Sequence, residues 1–264
     1  MGWFIIVTLP LTVGLAVWRV PEPPPTAECH AKLRDYLAFF KLTAVRRLMI
    51  TDLLYGLAPG ITGALALFYF KAAKGMSDGQ ANILIFLYFA AGLVGAPIWA
   101  WAATKIGKHR ALAVAGCIYA AAYVGVWLAP AGNFPAQLAS MVAVGLPFSA
   151  TPVLLRAMMA DVGDEERLKS GEDRTGMLYA LLTATNKVGY AVAVATYWPL
   201  DLAGFDKTPG ATNTPEAIGM LSILFAGLPI TLLLVGAWII KGFPIDEARQ
   251  KANRAALEAR AAAG

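Results

Sequence analysis

Residues 177–198 read MLYALLTATNKVGYAVAVATYW, an apolar run long enough to cross a bilayer as a helix, with Lys187 near its middle. A charge at the centre of a membrane helix costs about 2.5–3.5 kcal/mol on insertion scales. Roughly ten residues on either side, at about 1.5 Å each, place the lysine too far from the interface for its side chain to reach water. We therefore expect Lys187 either to face a polar cavity or to pair with a group outside this sequence.

Six further apolar runs have a similar character, although the first is short. They cover residues 3–18, 48–70, 81–103, 111–128, 134–158 and 217–240. With 58% hydrophobic and only 15% charged residues, the composition excludes an ordinary soluble domain. The sequence predicts an all-α polytopic membrane protein with about seven transmembrane helices, and the alternation typical of a β-barrel is absent from it.

Lysine and arginine are concentrated in alternate connectors, which predicts orientation. The basic connectors carry Arg19, Lys32, Arg34, Lys41, Arg46, Arg47, Lys105, Lys108, Arg110, Arg156, Arg167, Lys169, Arg174, Lys241, Arg249, Lys251, Arg254 and Arg260. The other connectors hold only Lys71, Lys74 and Lys207. We expect a multi-pass protein of the cell membrane with its N-terminus outside and its C-terminus in the cytoplasm, and we read the basic pI as cytosolic loops rather than a nucleic-acid surface. A cleaved signal peptide is the alternative for residues 3–18, but a basic n-region is missing there.

The remaining sequence divides the chain into four parts. Residues 1–18 form the first transmembrane helix, and residues 19–47 form a basic cytosolic loop with a proline-rich spacer at 21–25 and an amphipathic interfacial helix at 31–47. Residues 48–243 contain six helices, and residues 244–264 form a cytosolic tail helix. Cys29 and Cys117 are isolated, so we expect neither a disulfide nor a metal site.

Two sets of polar residues lie at membrane depth and are the candidates for solute binding. Five of them share one helical face, because they are related by spacings of three, four and seven residues. These are Tyr179, Thr183, Asn186, Lys187 and Tyr190. Residues 145–152, GLPFSATP, add Ser149 and Thr151 between two prolines, which predicts a kinked helix or a broken one lining a cavity. The alternative for Lys187 is a neutral amine, or one bonded only to Thr183 and Asn186.

The counter-charge for Lys187 is missing from its own membrane depth. The carboxylates lie in loops or tails except Asp52, expected near the cytosolic end of the second run, and Asp161, expected at that end of the fifth. We therefore expect the partner of Lys187 to belong to another polypeptide segment or to a solute.

Residues 159–164 (MADVGD) and 169–176 (KSGEDRTG), followed by the polar face with Lys187, resemble the glycoside–pentoside–hexuronide cation symporters. These are melibiose-permease-like members of the major facilitator superfamily, and residues 105–110 (KIGKHR) and 243–249 (FPIDEAR) are similar to its basic turn and C-terminal tail. The resemblance implies a fold of twelve helices in two halves, of which this chain would supply helices six to twelve. It implies a coupling cation, Na⁺ or H⁺, with carboxylate ligands in the N-terminal half, and no other cofactor or metal.

The resemblance also assigns roles to residues. Lys187 and Thr183 match positions near the solute and cation sites, whereas Pro152 stands where melibiose-type relatives carry a sugar-stacking aromatic, which argues against melibiose-like specificity. A cytosolic gate with the other half would be formed by Asp161, Asp164, Arg167 and Arg174.

The expected function is that of the C-terminal half of a cation- or proton-coupled symporter for a sugar, glycoside or similar small polar solute, working by alternating access. Its partners would be membrane lipid, the solute and an N-terminal half that is missing or encoded separately, and not nucleic acid. The alternative is a membrane binding or assembly subunit that does not transport. An enzyme is not expected, because the sequence has no zinc-protease motif, serine elbow or paired intramembrane carboxylates.

Overall fold

The structure is a computed structural model that describes residues 2–20, 36, 38–208 and 210–263, and in this part of the chain the regular elements are all helical. The helices are α1 (Gly2–Arg19), α2 (Thr43–Phe68), α3 (Asp78–Ile106), α4 (Lys108–Leu128), α5 (Phe134–Phe148), α6 (Ala150–Ser170), α7 (Thr175–Ala193), α8 (Tyr197–Leu202), α9 (Pro215–Ser222), α10 (Leu228–Lys241) and α11 (Glu247–Ala263). Short π- or 3₁₀-helical turns, Tyr69–Ala73, Val194–Thr196 and Ile223–Gly227, extend or connect several of these helices. The spacer at 21–25, Cys29 and residues 31–35 and 37 of the predicted amphipathic segment lie outside the described residues, whereas residues 43–47 of that segment begin α2.

Five helical stretches of the described chain are long and apolar enough to cross a membrane. They are Thr43–Ala73, Asp78–Ile106, Lys108–Leu128, Phe134–Ser170 and Pro215–Lys241. The apolar part of α1, Ile5–Arg19, is shorter, and α7 with Lys187 is not among the five. An all-helical, multi-pass membrane protein is therefore confirmed, while the count of seven spans stays a prediction.

The chain separates into two units, Met1–Lys32 with α1 and Leu33–Gly264 with all the other helices. Within the larger unit, α2 packs against α7 and α10, α3 packs against α5, and α4 packs against α5 and α10. The core between these helices contains five tyrosines that are almost fully buried, Tyr55, Tyr69, Tyr88, Tyr119 and Tyr123.

Several of the buried hydroxyls are paired with one another, as an apolar surrounding requires. The Tyr88 and Tyr119 hydroxyls lie 2.8 Å apart, and the Tyr123 hydroxyl contacts the Thr62 hydroxyl. Because these pairs join α2, α3 and α4, they fix the register of three helices at the centre of the bundle.

The fifth apolar run, predicted over 134–158, forms two helices that meet at Ser149. Pro147 lies at the end of α5 and Pro152 lies in the first turn of α6, so the prolines flank the interruption that they predict. The second helix continues beyond the apolar run to Ser170. Its last turns remain helical because Glu165 and Lys169 pair at 2.7 Å one turn apart, and Gly171, with φ +76°, ends the helix.

Candidate functional site

The polar residues predicted for one face of α7 do lie on that helix, and they differ in exposure. Thr183, Lys187 and Tyr190 are exposed on the larger unit. Tyr179 and Asn186 are half-buried, and the Tyr179 hydroxyl donates to the main-chain carbonyl of Arg156 at 3.1 Å. The exposed cation and two hydroxyls form an open surface that can receive a solute.

Lys187 makes no ion pair or hydrogen bond with any residue that the structure describes. Besides Thr183 and Tyr190, its neighbours one turn away are the exposed Ala184 and Ala191, and Val188 beside it is also exposed. The ammonium group therefore stands among two hydroxyls and small apolar side chains, an arrangement suited to a ligand with one anionic and one apolar part.

Glycines let α2 and α7 approach closely beneath this face. A Cβ atom at Gly189 would lie 3.1 Å from the Leu53 carbonyl oxygen, and one at Gly60 would lie 2.7 Å from the Ala193 Cβ. A Cβ at Gly56 would lie 3.3 Å from the Asn186 Nδ2 atom. These small residues serve the contact between the two helices that carry the site.

Asp52 lies against the inner side of the α7 face, where the sequence predicts no carboxylate. Its side chain is 3% exposed, and Asn186 Nδ2 donates to Asp52 Oδ1 at 3.4 Å. Asp52 was expected near the cytosolic end of the second run, away from Lys187, but the structure places it against Asn186, the residue before Lys187, and about two and a half turns inside α2. The second oxygen, Oδ2, is buried and has no hydrogen-bond partner in the described part of the chain.

Ser149 and Thr151 do not join the exposed face of α7. Both are buried at the junction of α5 and α6, and the Ser149 hydroxyl donates to the Leu146 carbonyl at 3.3 Å. Gly95 of α3 packs directly on this junction, since a Cβ there would collide with the Leu146 carbonyl oxygen. Their role as solute ligands stays a prediction. In this structure both side chains lie in a packed junction inside the larger unit.

The four predicted gate residues lie on or just after α6, and three of them make ionic contacts inside this chain. Both carboxylate oxygens of Asp161 are 2.7 Å from the Lys108 Nζ atom. Arg167 lies 3.9 Å from Asp173, and Arg174 lies 2.7 Å from Glu172, while Asp164 is half-buried. Their role as a gate stays a prediction.

Glu165 is a second ionic centre at the end with Asp161, and it was not among the residues predicted from the sequence. Its Oε1 atom accepts from Lys169 at 2.7 Å and from Arg249 of α11 at 2.6 Å, and its side chain is mostly buried. Arg260 also donates to the Leu168 carbonyl at 2.9 Å, so two arginines tie α11 to α6. The i, i+4 spacing of Glu165 and Lys169 was the only local signal of this arrangement.

A cavity of about 410 Å³ opens at this end between α3, α4, α6 and α11. Its wall includes Lys108, Asp161, Lys251 and Arg254, so it is lined by charges of both signs. No group of three or more histidine, cysteine or acidic side chains in the described residues could hold a metal ion.

Comparison with known proteins gives matches to transporters. Residues 1–247 match the family model described as "MFS/sugar transport protein". The chain is 28% identical to the sodium-dependent lysophosphatidylcholine symporter 1 of Gallus gallus over 97% of this chain and 49% of the relative. It is 26% identical to the Homo sapiens protein of the same name, over 97% of this chain and 47% of the relative.

A third relative, a sphingosine-1-phosphate transporter of Xenopus tropicalis, is 25% identical over 70% of this chain and 36% of the relative. The chain thus spans about half the length, or less, of these relatives. The matches confirm a transporter rather than an enzyme at the level of the family. With nearly its whole length matched, this chain belongs to the MFS/sugar transport protein family of membrane transporters.

Proposed function

We propose that the chain forms the C-terminal six-helix half of a cation-coupled secondary transporter whose solute is a single-chain amphiphile with an anionic or zwitterionic headgroup. Lys187 binds the anionic group of the solute, and the apolar residues around it accept part of the chain. The observation that carries the proposal is the exposed, unpaired ammonium of Lys187 among alanine and valine side chains, within the part of the chain that the structure describes.

The solutes named for the relatives support this class. Lysophosphatidylcholine and sphingosine 1-phosphate are both single-chain lipids with a phosphate, and a phosphate is a strong acceptor for a lysine ammonium. A sugar, which the family description includes, would rely on neutral hydrogen bonds. Because Asn186 is engaged by Asp52, the exposed face offers a sugar only the Thr183 and Tyr190 hydroxyls and the cation.

The second half of the transporter would be a separate segment or chain that closes over this face. Alternating access needs two halves that rock about a midplane site. The polar face of α7 is exposed in this unit, which fits a surface that lines a path between halves.

Photolabelling of the purified chain in detergent tests the solute assignment without requiring transport. A photoreactive lysophosphatidylcholine probe is applied to the wild type, to Lys187→Ala and to Lys207→Ala as the matched control. Lys207 lies between α8 and α9 and pairs with Asp201 of α8 at 2.7 Å, so its loss should leave labelling unchanged. Loss of a charge-assisted hydrogen bond is worth about 1.5–3 kcal/mol, so Lys187→Ala should weaken binding roughly 10- to 100-fold.

Competition and uptake separate the alternatives. Unlabelled lysophosphatidylcholine should compete with the probe, and methyl galactoside should not. Competition by the sugar alone, or equal labelling of Lys187→Ala and wild type, would refute the amphiphile assignment. Uptake of the lipid by proteoliposomes that contain this chain alone would refute the two-half proposal.

A further inference from the structure

Asp52 is a buried acid that the solute-binding proposal does not use, and its surroundings do not balance a negative charge. The side chain is 3% exposed on a helix long and apolar enough to span the membrane. Oδ1 has one contact, the 3.4 Å donation from Asn186, and Oδ2 has no hydrogen-bond partner among the described residues. A buried carboxylate that is neither paired nor fully hydrogen-bonded is strongly disfavoured as an anion.

We infer that Asp52 is a proton-binding site of this half, whose buried carboxyl group holds a proton in the arrangement that the structure shows. The inference rests on the proposed function for its role in coupling, but the site itself exists or fails independently of transport. It places a proton-binding carboxyl group in this chain, whereas the cation ligands were expected in the N-terminal half.

The groups around Asp52 define what titrates with it. From α6, Arg156 acts on the carboxylate electrostatically, but its side chain is exposed and it forms no ion pair within 4.0 Å in the described chain. From α7, Tyr190 is within electrostatic reach, and Lys187 follows Asn186 directly in the sequence. On α10, no ionisable residue precedes Lys241 at its last position.

The other elements packed on α2 add no charge beside Asp52. The turns Val194–Thr196 and Ile223–Gly227 contain no ionisable residue. Tyr88, the ionisable residue in the middle of α3, is hydrogen-bonded to Tyr119. Tyr55 lies one turn after Asp52 but packs towards α4 and α10, since Cβ atoms at Gly116 and Gly236 would collide with it.

A proton fits this site better than a metal cation. Sodium requires several oxygen ligands, whereas the atom presented to Asp52 by α7 is the Asn186 amide nitrogen, a hydrogen-bond donor. A protonated carboxyl gains an O–H on the unpartnered Oδ2 and keeps Oδ1 as the acceptor for Asn186. The contact that the structure shows is therefore compatible with the neutral form.

Infrared difference spectroscopy of the purified full chain detects the protonated carboxyl directly through its C=O stretch. The chain is titrated from about pH 4 to about pH 10, beyond the ordinary range of aspartate. We expect the wild type to keep a protonated carboxyl above the pH at which exposed carboxylates ionise, and Asp52→Asn to lose that band. Asp206→Asn, an exposed control, should retain it.

A second variant distinguishes the site from a merely structural aspartate. Asn186→Ala should keep the band but shift it to higher frequency, because the hydrogen bond to the carbonyl oxygen is lost. An identical spectrum of Asp52→Asn and wild type would overturn the inference, and so would removal of the band by Na⁺ at constant pH. A band that behaves as expected alongside unchanged photolabelling of Lys187→Ala would keep the proton site and refute only the solute proposal.

Discussion

The close approach of α2 to α7 at Gly60 is the packing feature on which the site depends, and one substitution tests it. An alanine Cβ at Gly60 would lie 2.7 Å from the Ala193 Cβ and 3.2 Å from the Tyr190 Cα. Neither atom is the mobile end of a flexible side chain, so the helices themselves must separate. Gly63, three residues later on the same helix, is exposed, and a methyl group added there would have no neighbour within 4 Å, which makes Gly63→Ala a matched control.

Both substitutions gain the same helix-propensity free energy, and they differ only in the steric contact that the new methyl group makes. Replacing glycine by alanine inside a helix favours the helix by about 1 kcal/mol. Overpacking a well-filled interior costs about 1–3 kcal/mol, and this cost applies to Gly60→Ala alone. The two variants should therefore differ by about 1–3 kcal/mol in the free energy of unfolding, with Gly63→Ala the more stable.

Thermal unfolding in one detergent, followed by circular dichroism, measures the difference. For a chain of this size each kcal/mol corresponds to roughly 2–4 °C, so the melting temperatures should differ by about 2–12 °C. Separation of the helices should also reduce the probe labelling described above in Gly60→Ala and not in Gly63→Ala. Equal melting temperatures, or a more stable Gly60→Ala, would refute the close packing of α2 on α7.

Three further outcomes follow from charged groups outside the α7 face. Lys74 is buried and donates to two carbonyls near the C-terminal end of α4, so Lys74→Met should lower the free energy of unfolding by about 1–3 kcal/mol, as measured by thermal unfolding. Lys71→Met loses only an exposed ion pair and should change that free energy little. Glu165→Gln should loosen α11 from α6 and speed its cleavage by trypsin, and a cleavage rate equal to that of the wild type would contradict the tie. The pKa of Asp173 lies below its ordinary value because the side chain and the main-chain N–H of Thr175 donate to its carboxylate. The stability that Asp173 contributes is therefore present above its pKa in the unfolded state and is lost as pH falls through its pKa in the folded state. Asp173→Asn should flatten the acid limb of a curve of stability against pH.

Much of the helical framework could be predicted because a membrane helix needs about twenty apolar residues, and such runs are visible in the sequence. The ends of the helices could not. The second apolar run begins near residue 48, yet α2 starts at Thr43, since a helix continues into polar residues wherever its backbone bonds remain satisfied. The same reason carries α6 beyond its apolar part to Ser170.

The candidate site was predictable on one helix and not between helices. The period of 3.6 residues places Thr183, Lys187 and Tyr190 on a common face, and the structure exposes all three together. The contact of Asp52 with Asn186 depends on how α2 and α7 pack, which is decided by Gly56, Gly60 and Gly189 in three dimensions rather than by local spacing.

Lys187 and Asp52 are held near the same face without forming an ion pair. Lys187 is therefore free to bind the solute headgroup, and Asp52 is free to bind a proton. Asn186 links the two groups, because its amide donates to Asp52 and the following residue, Lys187, lies on the exposed face. If the two charges were paired directly, the lysine would be neutralised within the chain and an anionic headgroup would have to displace the carboxylate. With a proton on Asp52, the positive charge of Lys187 remains available to the solute, and loss of that proton places a competing negative charge beneath the same face. Proton release and solute release are then expected to favour each other, which is the thermodynamic condition for coupled movement of the two in one direction.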